Sequence, residues 1–415
     1  MKRNAWIFAA LIVLLLFSEG IFAEQSLAAQ TETRASHLGP LVIGMYKEMN
    51  HRQLLEKYPG SRTSILSYVK LDIDAAKGDV RSTVRQLRYE ANDHERMKRE
   101  FWPQIALETQ SLSLAALRQE LASPGSQVDD NLRTLARAIA QYRDKHKWFF
   151  IRPFSEMNDE EGSWEFANKQ FVNTPQDFAA VWKLIREVFD EEGATNAIFI
   201  FSPLAAYHTH HEQEILKALN LIPSGYIDAF GLNVYSRPLS AYGRNSAAPI
   251  SFAELAAPWI KLLASSKHHG IPLAIPEMGV SQEASDSDRR QWLRQAFAFA
   301  RGHNFVMLTY FNVPGGVGWT VEDGSLAEET LRQAMAGTAS DSLIAKVPSE
   351  LPPPAPRKAV VKPPQTPLPA NSVRLSICPD SHLIATEFCP VSVPKIFLRG
   401  KQPTRKCDKH SKEGS

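Results

Sequence analysis

Cysteine is absent from the first 377 residues; the chain's three cysteines are Cys378, Cys389 and Cys407. The body of the protein therefore has neither a disulfide framework nor a thiolate metal site, and its stability has to come from a buried core. Excess charge is lacking too. Lys and Arg number 47 against 45 Asp and Glu, a formal net charge of +2 on 415 residues. Nothing in that balance favours nucleic acid or an anionic membrane surface. The main apolar run, Ala5–Phe17, is shorter than the roughly 20 residues that a spanning helix needs, and no other stretch approaches that length. No Gly-rich phosphate loop follows the first apolar run of the body, which argues against a nucleotide-binding doubly wound sheet. What remains is ordinary globular composition, 44% hydrophobic and 22% charged. The length admits one large domain with extras, or two ordinary ones.

Lys2 and Arg3 precede the Ala5–Phe17 run, and small residues follow at Gly20, Ala23, Ser26, Ala28 and Ala29. Basic start, short apolar middle and small-residue end predict a secretory signal over residues 1–29, cut after Ala23 or Ala28. The competing reading is an uncleaved amino-terminal anchor; either way the body is exported. From residue 40 to 340, short apolar runs alternate with amphipathic segments. The runs are Leu41–Met45, Ser64–Leu71, Pro103–Leu107, Trp148–Ile151, Ala197–Phe201, Ala229–Val234, Leu273–Ile275 and Val306–Phe311. Most lack polar alternation, as strands covered on both faces should. Asp129–His146, Phe252–His268 and Ser287–Gly302 carry the 3/4 spacing of one helix face. Thr174-Pro175 reads as an N-cap and first helical residue ahead of Phe178, Val181, Leu184, Ile185 and Val188. Eight strands alternating with helices predict an α/β protein with a (β/α)8 TIM barrel. Residues 341–371 are Pro-rich and predict an extended spacer. Residues 372–415 form a short tail with all the cysteines.

Chemistry in such a barrel sits at the carboxyl ends of the strands. The fourth predicted strand leads to Glu156 and the seventh to Glu277. Each apolar strand thus delivers one carboxyl group beside constrained backbone, where partial desolvation tunes its acidity. A single such glutamate would serve equally well as an ion-pair partner, of Arg152 for instance. Two on separate strand ends match what glycoside hydrolysis requires, one group to protonate the leaving oxygen and one to attack the anomeric carbon. A separation of about 5–5.5 Å would specify retention of configuration, and about 6.5–9.5 Å inversion.

Arg152-Pro153-Phe154-Ser155-Glu156-Met157-Asn158 resembles the acid/base motif of glycoside hydrolase family 26, the β-mannanase family of a large clan of retaining barrel hydrolases. Pro276-Glu277-Met278-Gly279 resembles its nucleophile motif. Ile198–Pro203 and Gly225–Tyr235 look like the fifth and sixth strands of that family. The resemblance implies a secreted, cofactor-independent hydrolase of internal β-1,4 bonds in mannan, acting as a monomer. Glu156 would be the acid/base, Glu277 the nucleophile, Tyr235 a hydrogen-bond partner of the nucleophile and Trp319 the sugar-stacking platform. Arg152, Ser155 and Asn158 fall on the substrate side of the motif, while Trp164 either lines the cleft or packs its own loop. One departure stands out. The family has His where this chain has Ser155, and Asp159-Glu160-Glu161 follows where the family has Gly. Serine is shorter and carries no positive charge. Another β-glycan, a bacterial exopolysaccharide, or glycan binding with weak or no catalysis are therefore the alternatives.

His208, His210 and His211 sit too close together in a loop to predict a metal site on one rigid face. The tail resembles the short cysteine-bearing segment that follows the transpeptidase domain in some penicillin-binding proteins, which implies a place at the bacterial cell wall. Its three cysteines allow one disulfide with a free thiol, or a zinc site with His410.

Overall fold

The computed structural model describes residues 41–340 except 48–50, 74–78, 98–101, 146, 161, 167, 169, 207–210, 244, 304 and 315–317. The expected signal segment, spacer and tail, the cysteines, His208 and His210 lie outside the described residues.

The chain runs β1 (Val42–Lys47), α1 (His51–Lys57), β2 (Thr63–Lys70), α2 (Asp79–Met97), β3 (Trp102–Glu108), α3 (Leu114–Leu121), α4 (Gln127–Ala140), β4 (Phe149–Pro153), α5 (Pro175–Glu191) and β5 (Ala197–Phe201). It continues through β6 (Leu204–Ala205), α6 (Glu212–Leu221), β7 (Ala229–Ser236), α7 (Phe252–Ala264), β8 (Leu273–Val280), α8 (Asp286–Gly302), β9 (Phe305–Asn312) and α9 (Leu326–Ser340). Strand order is β1-β9-β8-β7-β5-β4-β3-β2, with the two-residue β6 paired to β7. All pairings in the ladder are parallel. The two ends of this order come together: the Arg62 N–H donates to the Ile43 carbonyl at 3.0 Å. Gly44 permits the approach, because a Cβ there would lie 1.8 Å from the Thr63 carbonyl oxygen. The eight main strands thus form the expected (β/α)8 barrel.

The eight expected apolar runs each become a strand. Strands β5 and β7 are buried along their whole length, because helices cover one face and the barrel interior the other. Helix α5 starts as its sequence dictates. The Thr174 hydroxyl accepts from the Asp177 N–H at 3.1 Å, Pro175 occupies the first turn, and Phe178, Val181, Ile185 and Val188 are buried against the sheet. Helix α4 ends at Ala140 rather than His146. There the Tyr142 N–H bonds the Ile139 carbonyl at 3.0 Å, and Tyr142 packs on Phe149 of β4 with ring centres 5.9 Å apart. The chain has to turn at that point to enter the sheet.

The barrel interior changes character from bottom to top. Val42, Phe150, Ile198, Ala274 and Met307 form an apolar floor. Above it the Gln104 amide donates to the hydroxyls of Thr63 (3.3 Å) and Thr309 (2.5 Å). At the carboxyl ends, Tyr235, Phe311 and Trp319 pack with Tyr46 and Tyr68. Outside the barrel, Arg186 of α5 meets Asp228 at 2.7 Å, and the same carboxyl oxygen accepts from the Phe199 N–H at 2.8 Å. Both charged side chains are almost fully buried. Removing one partner leaves the other charge buried alone, at a cost of about 3–5 kcal/mol. Asp228→Ala should lower unfolding stability by that amount in urea denaturation, whereas Asp190→Ala, which removes only a half-exposed partner 3.6 Å from Arg186, should cost far less.

Candidate active site

After β4 the chain turns tightly. Phe154 and Glu156 have φ of 51° and 61°, in the left-handed region, which costs a residue with a side chain about 1–2 kcal/mol. The surroundings hold the strain. The Phe154 N–H donates to the Leu107 carbonyl and the Glu156 N–H to the Ser202 carbonyl, both at 2.8 Å. The Asn158 amide clamps Leu204 at both ends, donating to its carbonyl at 2.9 Å and accepting from its N–H at 2.8 Å. Backbone strain enforced by neighbours on β3, on β6 and just past β5 is typical of functional turns. Its result is a fixed Glu156 side chain, whose Oε1 accepts from Asn233 Nδ2 at 2.9 Å.

Glu277 lies within β8, not just past a strand. A register shift between Ile275 and Met278 produces this. On the facing strand Gly231 pairs with Ala274 and Asn233 with Glu277, so β8 carries an extra residue. Such a bulge re-aims the following side chains. Glu277 is almost wholly buried, 3% exposed. Tyr68 donates to its Oε1 at 3.0 Å and Tyr235 to its Oε2 at 2.7 Å. Arg152 Nη2 lies 2.6 Å from Oε1 as an ion pair. The two hydroxyls donate here, one to each oxygen, so both carboxyl oxygens act as acceptors with fixed orientation.

The two carboxyl groups thus sit in opposed surroundings. Burial first, then the Glu277 and Asp159 carboxylates, hold Glu156 well above the usual carboxyl range; Asn233 and Arg152 oppose that rise. Glu156 keeps some surface open, but its flanks are enclosed, so the charged form still loses hydration. Asp159 is itself raised, mainly by burial. Burial works against the Arg152 charge, yet the Glu277 carboxylate beside it more than restores it and its pKa is raised. Burial and the Glu277 charge push the Tyr68 and Tyr235 hydroxyls well above their usual value, so both stay protonated donors. One carboxyl group whose acidity is weakened, near another that is fixed as an acceptor, is the arrangement for paired acid and nucleophile chemistry.

The remaining expected residues surround this pair in different ways. Trp319 is 7% exposed and packs on Tyr235 at 4.8 Å between ring centres, so its ring backs the tyrosine. Gly279 makes room for that contact, since a Cβ there would fall 3.0 Å from Tyr235 and 3.1 Å from Trp319. The Ser155 hydroxyl meets Ser202 Oγ at 3.2 Å. Trp164 donates from its ring nitrogen to the Ser155 carbonyl at 2.9 Å, which ties the following loop to the turn. Asn158 spends its amide on Leu204, and Arg152 reaches Glu277 from below with no surface exposed. Asn233 and Tyr68 were missed by sequence reasoning. Asn233 was legible, because it stands two residues before Tyr235 and so shares its face of the strand. Tyr68 was not, because a register shift between Ile65 and Ser67 sets its direction. Among the described residues no group of His, Cys, Asp or Glu is placed to hold a metal ion.

Comparison with known proteins gives two separate likenesses. Residues 368–412 match the family described as Penicillin-binding protein 1A, C-terminal domain, the resemblance noted for the tail. A search of curated proteins finds no match. Among solved structures, the catalytic domain of a GH26 endo-β-1,4-mannanase from Bacillus sp. JAMB-750 superposes with a TM-score of 0.51, at 14% identity, over 74% of this chain and 90% of that one. A Cellulomonas fimi endo-β-1,4-mannanase double mutant gives 0.51 and 14% over 74% of each chain. The barrel therefore shares its fold with glycoside hydrolase family 26 mannanases, the family its motifs resemble.

Proposed function

We propose that the barrel is a retaining glycoside hydrolase that cleaves internal β-1,4 bonds of a mannan-type polysaccharide. The opposed surroundings of Glu156 and Glu277 carry this reading, and the fold likeness to endo-β-1,4-mannanases supports the substrate class. In the first step a Glu277 oxygen attacks the anomeric carbon while Glu156 gives its proton to the departing glycosidic oxygen. This leaves a glycosyl ester on Glu277. In the second step Glu156, now ionised, takes a proton from water as the water attacks the same carbon and releases Glu277. Arg152, Tyr68 and Tyr235 keep the nucleophile from rotating, which lowers the entropy cost of attack. Asn158 and the strained turn do the same for the acid.

Release of reducing ends from a panel of β-mannan, β-glucan, β-xylan and bacterial exopolysaccharides tests this. β-Mannan should be cut and give oligosaccharides from internal bonds. Binding without cleavage across the panel would contradict the reading and favour a glycan-binding protein. The small Ser155–Ser202 hydroxyl pair, where the family carries a histidine, favours a second reading in which the polymer is a different β-glycan; the same panel separates it.

We also propose export by residues 1–29 and association with the cell wall through residues 372–415, which the locally basic tail and its family match support. A chain ending at Ser340 should keep its rate on soluble polymer yet pellet less with purified cell walls. Loss of rate or solubility would place the tail within the catalytic fold, and unchanged pelleting would remove its targeting role.

A further inference from the structure

We propose that Asn233 is a positioning residue for Glu156: its amide holds one carboxyl oxygen, so that the other oxygen carries the proton and faces the glycosidic bond. This rests on the hydrolase reading for its purpose, but not for its geometry. Asn233 Nδ2 lies 2.9 Å from Glu156 Oε1, and the Asn233 side chain has no exposed surface. Among the described residues its buried Oδ1 has no hydrogen-bond partner. An apolar residue would avoid that unsatisfied acceptor and fill the same buried space, so packing does not account for an amide here. Among the described residues the one polar contact of the side chain is the acid itself. The backbone places it well for that contact: Asn233 pairs in register with Glu277, and its N–H is fixed on the Pro203 carbonyl at 3.0 Å. A donor from this strand is therefore committed to Glu156, while Tyr68, Tyr235 and Arg152 serve Glu277.

A carboxyl oxygen engaged by an N–H is the poorer site for a proton, because the hydrogen bond has already used its electron density. The proton of neutral Glu156 then resides on Oε2. After the proton is transferred, the same N–H stabilises the new carboxylate, so one contact serves the acid role and the later base role. The charged and titratable groups acting on Glu156 are Glu277 from β8, Asp159 from its own turn and Arg152 from β4, with the Tyr235 hydroxyl nearby on β7. Glu277 and Asp159 favour the protonated form, and Arg152 and Asn233 oppose it.

The test reads the proton directly. Full-length protein is labelled with glutamate carrying 13C at the side-chain carboxyl carbon, and the Glu156 signal is assigned by its loss in Glu156→Gln. Asn233→Ala removes the donor, and its Glu156 titration should move to higher pH. Asn233→Asp places a carboxylate at the same position and should move it further, by about one pH unit or more. Circular dichroism and the unfolding midpoint show whether each variant is folded; Asn233→Ser, which keeps a donor in a smaller side chain, should titrate closer to wild type than Asn233→Ala. An unchanged Glu156 titration in folded Asn233→Ala and Asn233→Asp overturns the proposal. The measurement needs no turnover, so a failure of the hydrolase reading appears separately, as a wild-type protein that titrates as described but cleaves no polymer.

Discussion

Glu277→Gln should abolish turnover on every substrate, by at least about four orders of magnitude, because no other group in the site can form the covalent bond. Polymers and aryl glycosides with good leaving groups should lose activity alike, since both need the same attack. The variant should be less stable by up to about 3–5 kcal/mol, because buried Arg152 loses its carboxylate partner, but it should still fold, because glutamine matches glutamate in shape and keeps an acceptor for one of the two tyrosine hydroxyls. A second consequence follows from the electrostatics. The Glu277 charge is one of the causes that hold Glu156 above the usual carboxyl range, so the Glu156 titration should fall to lower pH in Glu277→Gln. A variant that kept measurable turnover on an activated glycoside would move the nucleophile elsewhere.

Glu156→Gln should behave differently. On polysaccharide, where the leaving oxygen needs a proton, the rate should drop about 10²- to 10⁴-fold, the usual contribution of a general acid. On a dinitrophenyl glycoside, whose leaving group departs without help, formation of the glycosyl ester should be nearly spared. The ester should then accumulate, because the same residue is needed to activate water. The pH profile carries the sign. In wild type the protonated form of Glu156 is the active one in the first step, so kcat/KM falls as pH rises through its raised pKa. That high-pH limb should lie above the range of an ordinary carboxyl group, and it should disappear in Glu156→Gln. Equal losses on good and poor leaving groups would show that Glu156 supports the site's structure and does not donate a proton.

The barrel was legible because its signal is repetitive. Each of the eight apolar runs is short and bounded and most are unalternating, the pattern left by strands covered on both faces. Capping chemistry at Thr174-Pro175 fixed the start of α5 from two residues. The two glutamates proposed as acid and nucleophile stood out in the sequence because a carboxyl group next to an apolar strand is costly without a use. What the sequence hid depends on registers and distances. The bulges at Ile275–Met278 and Ile65–Ser67 decide that Glu277 and Tyr68 point inward, and no local pattern announces them. Ordinary alternation would have set Glu277 on the opposite face from its actual one, counting from Ala274. The division of labour between Asn158 and Asn233 was equally hidden. Both are buried amides near the acid, but Asn158 is spent on the Leu204 backbone and Asn233 on the Glu156 carboxyl. The short β6 strand, which receives the Asn158 clamp, consists of two residues and carries no periodicity at all.

In the proposed mechanism Glu277 becomes covalently bonded to sugar. Incubation of the full chain with an activated 2-deoxy-2-fluoro-β-mannosyl substrate, followed by proteolysis and mass spectrometry, would trap that bond. The fluorine slows both steps, and the good leaving group lets the first proceed, so the ester persists long enough to map. One added fluoromannosyl mass is expected on the peptide that carries Glu277, with loss of activity in step with labelling, and no label in Glu277→Gln. An active enzyme that stays unlabelled and first releases product of inverted anomeric configuration would contradict it.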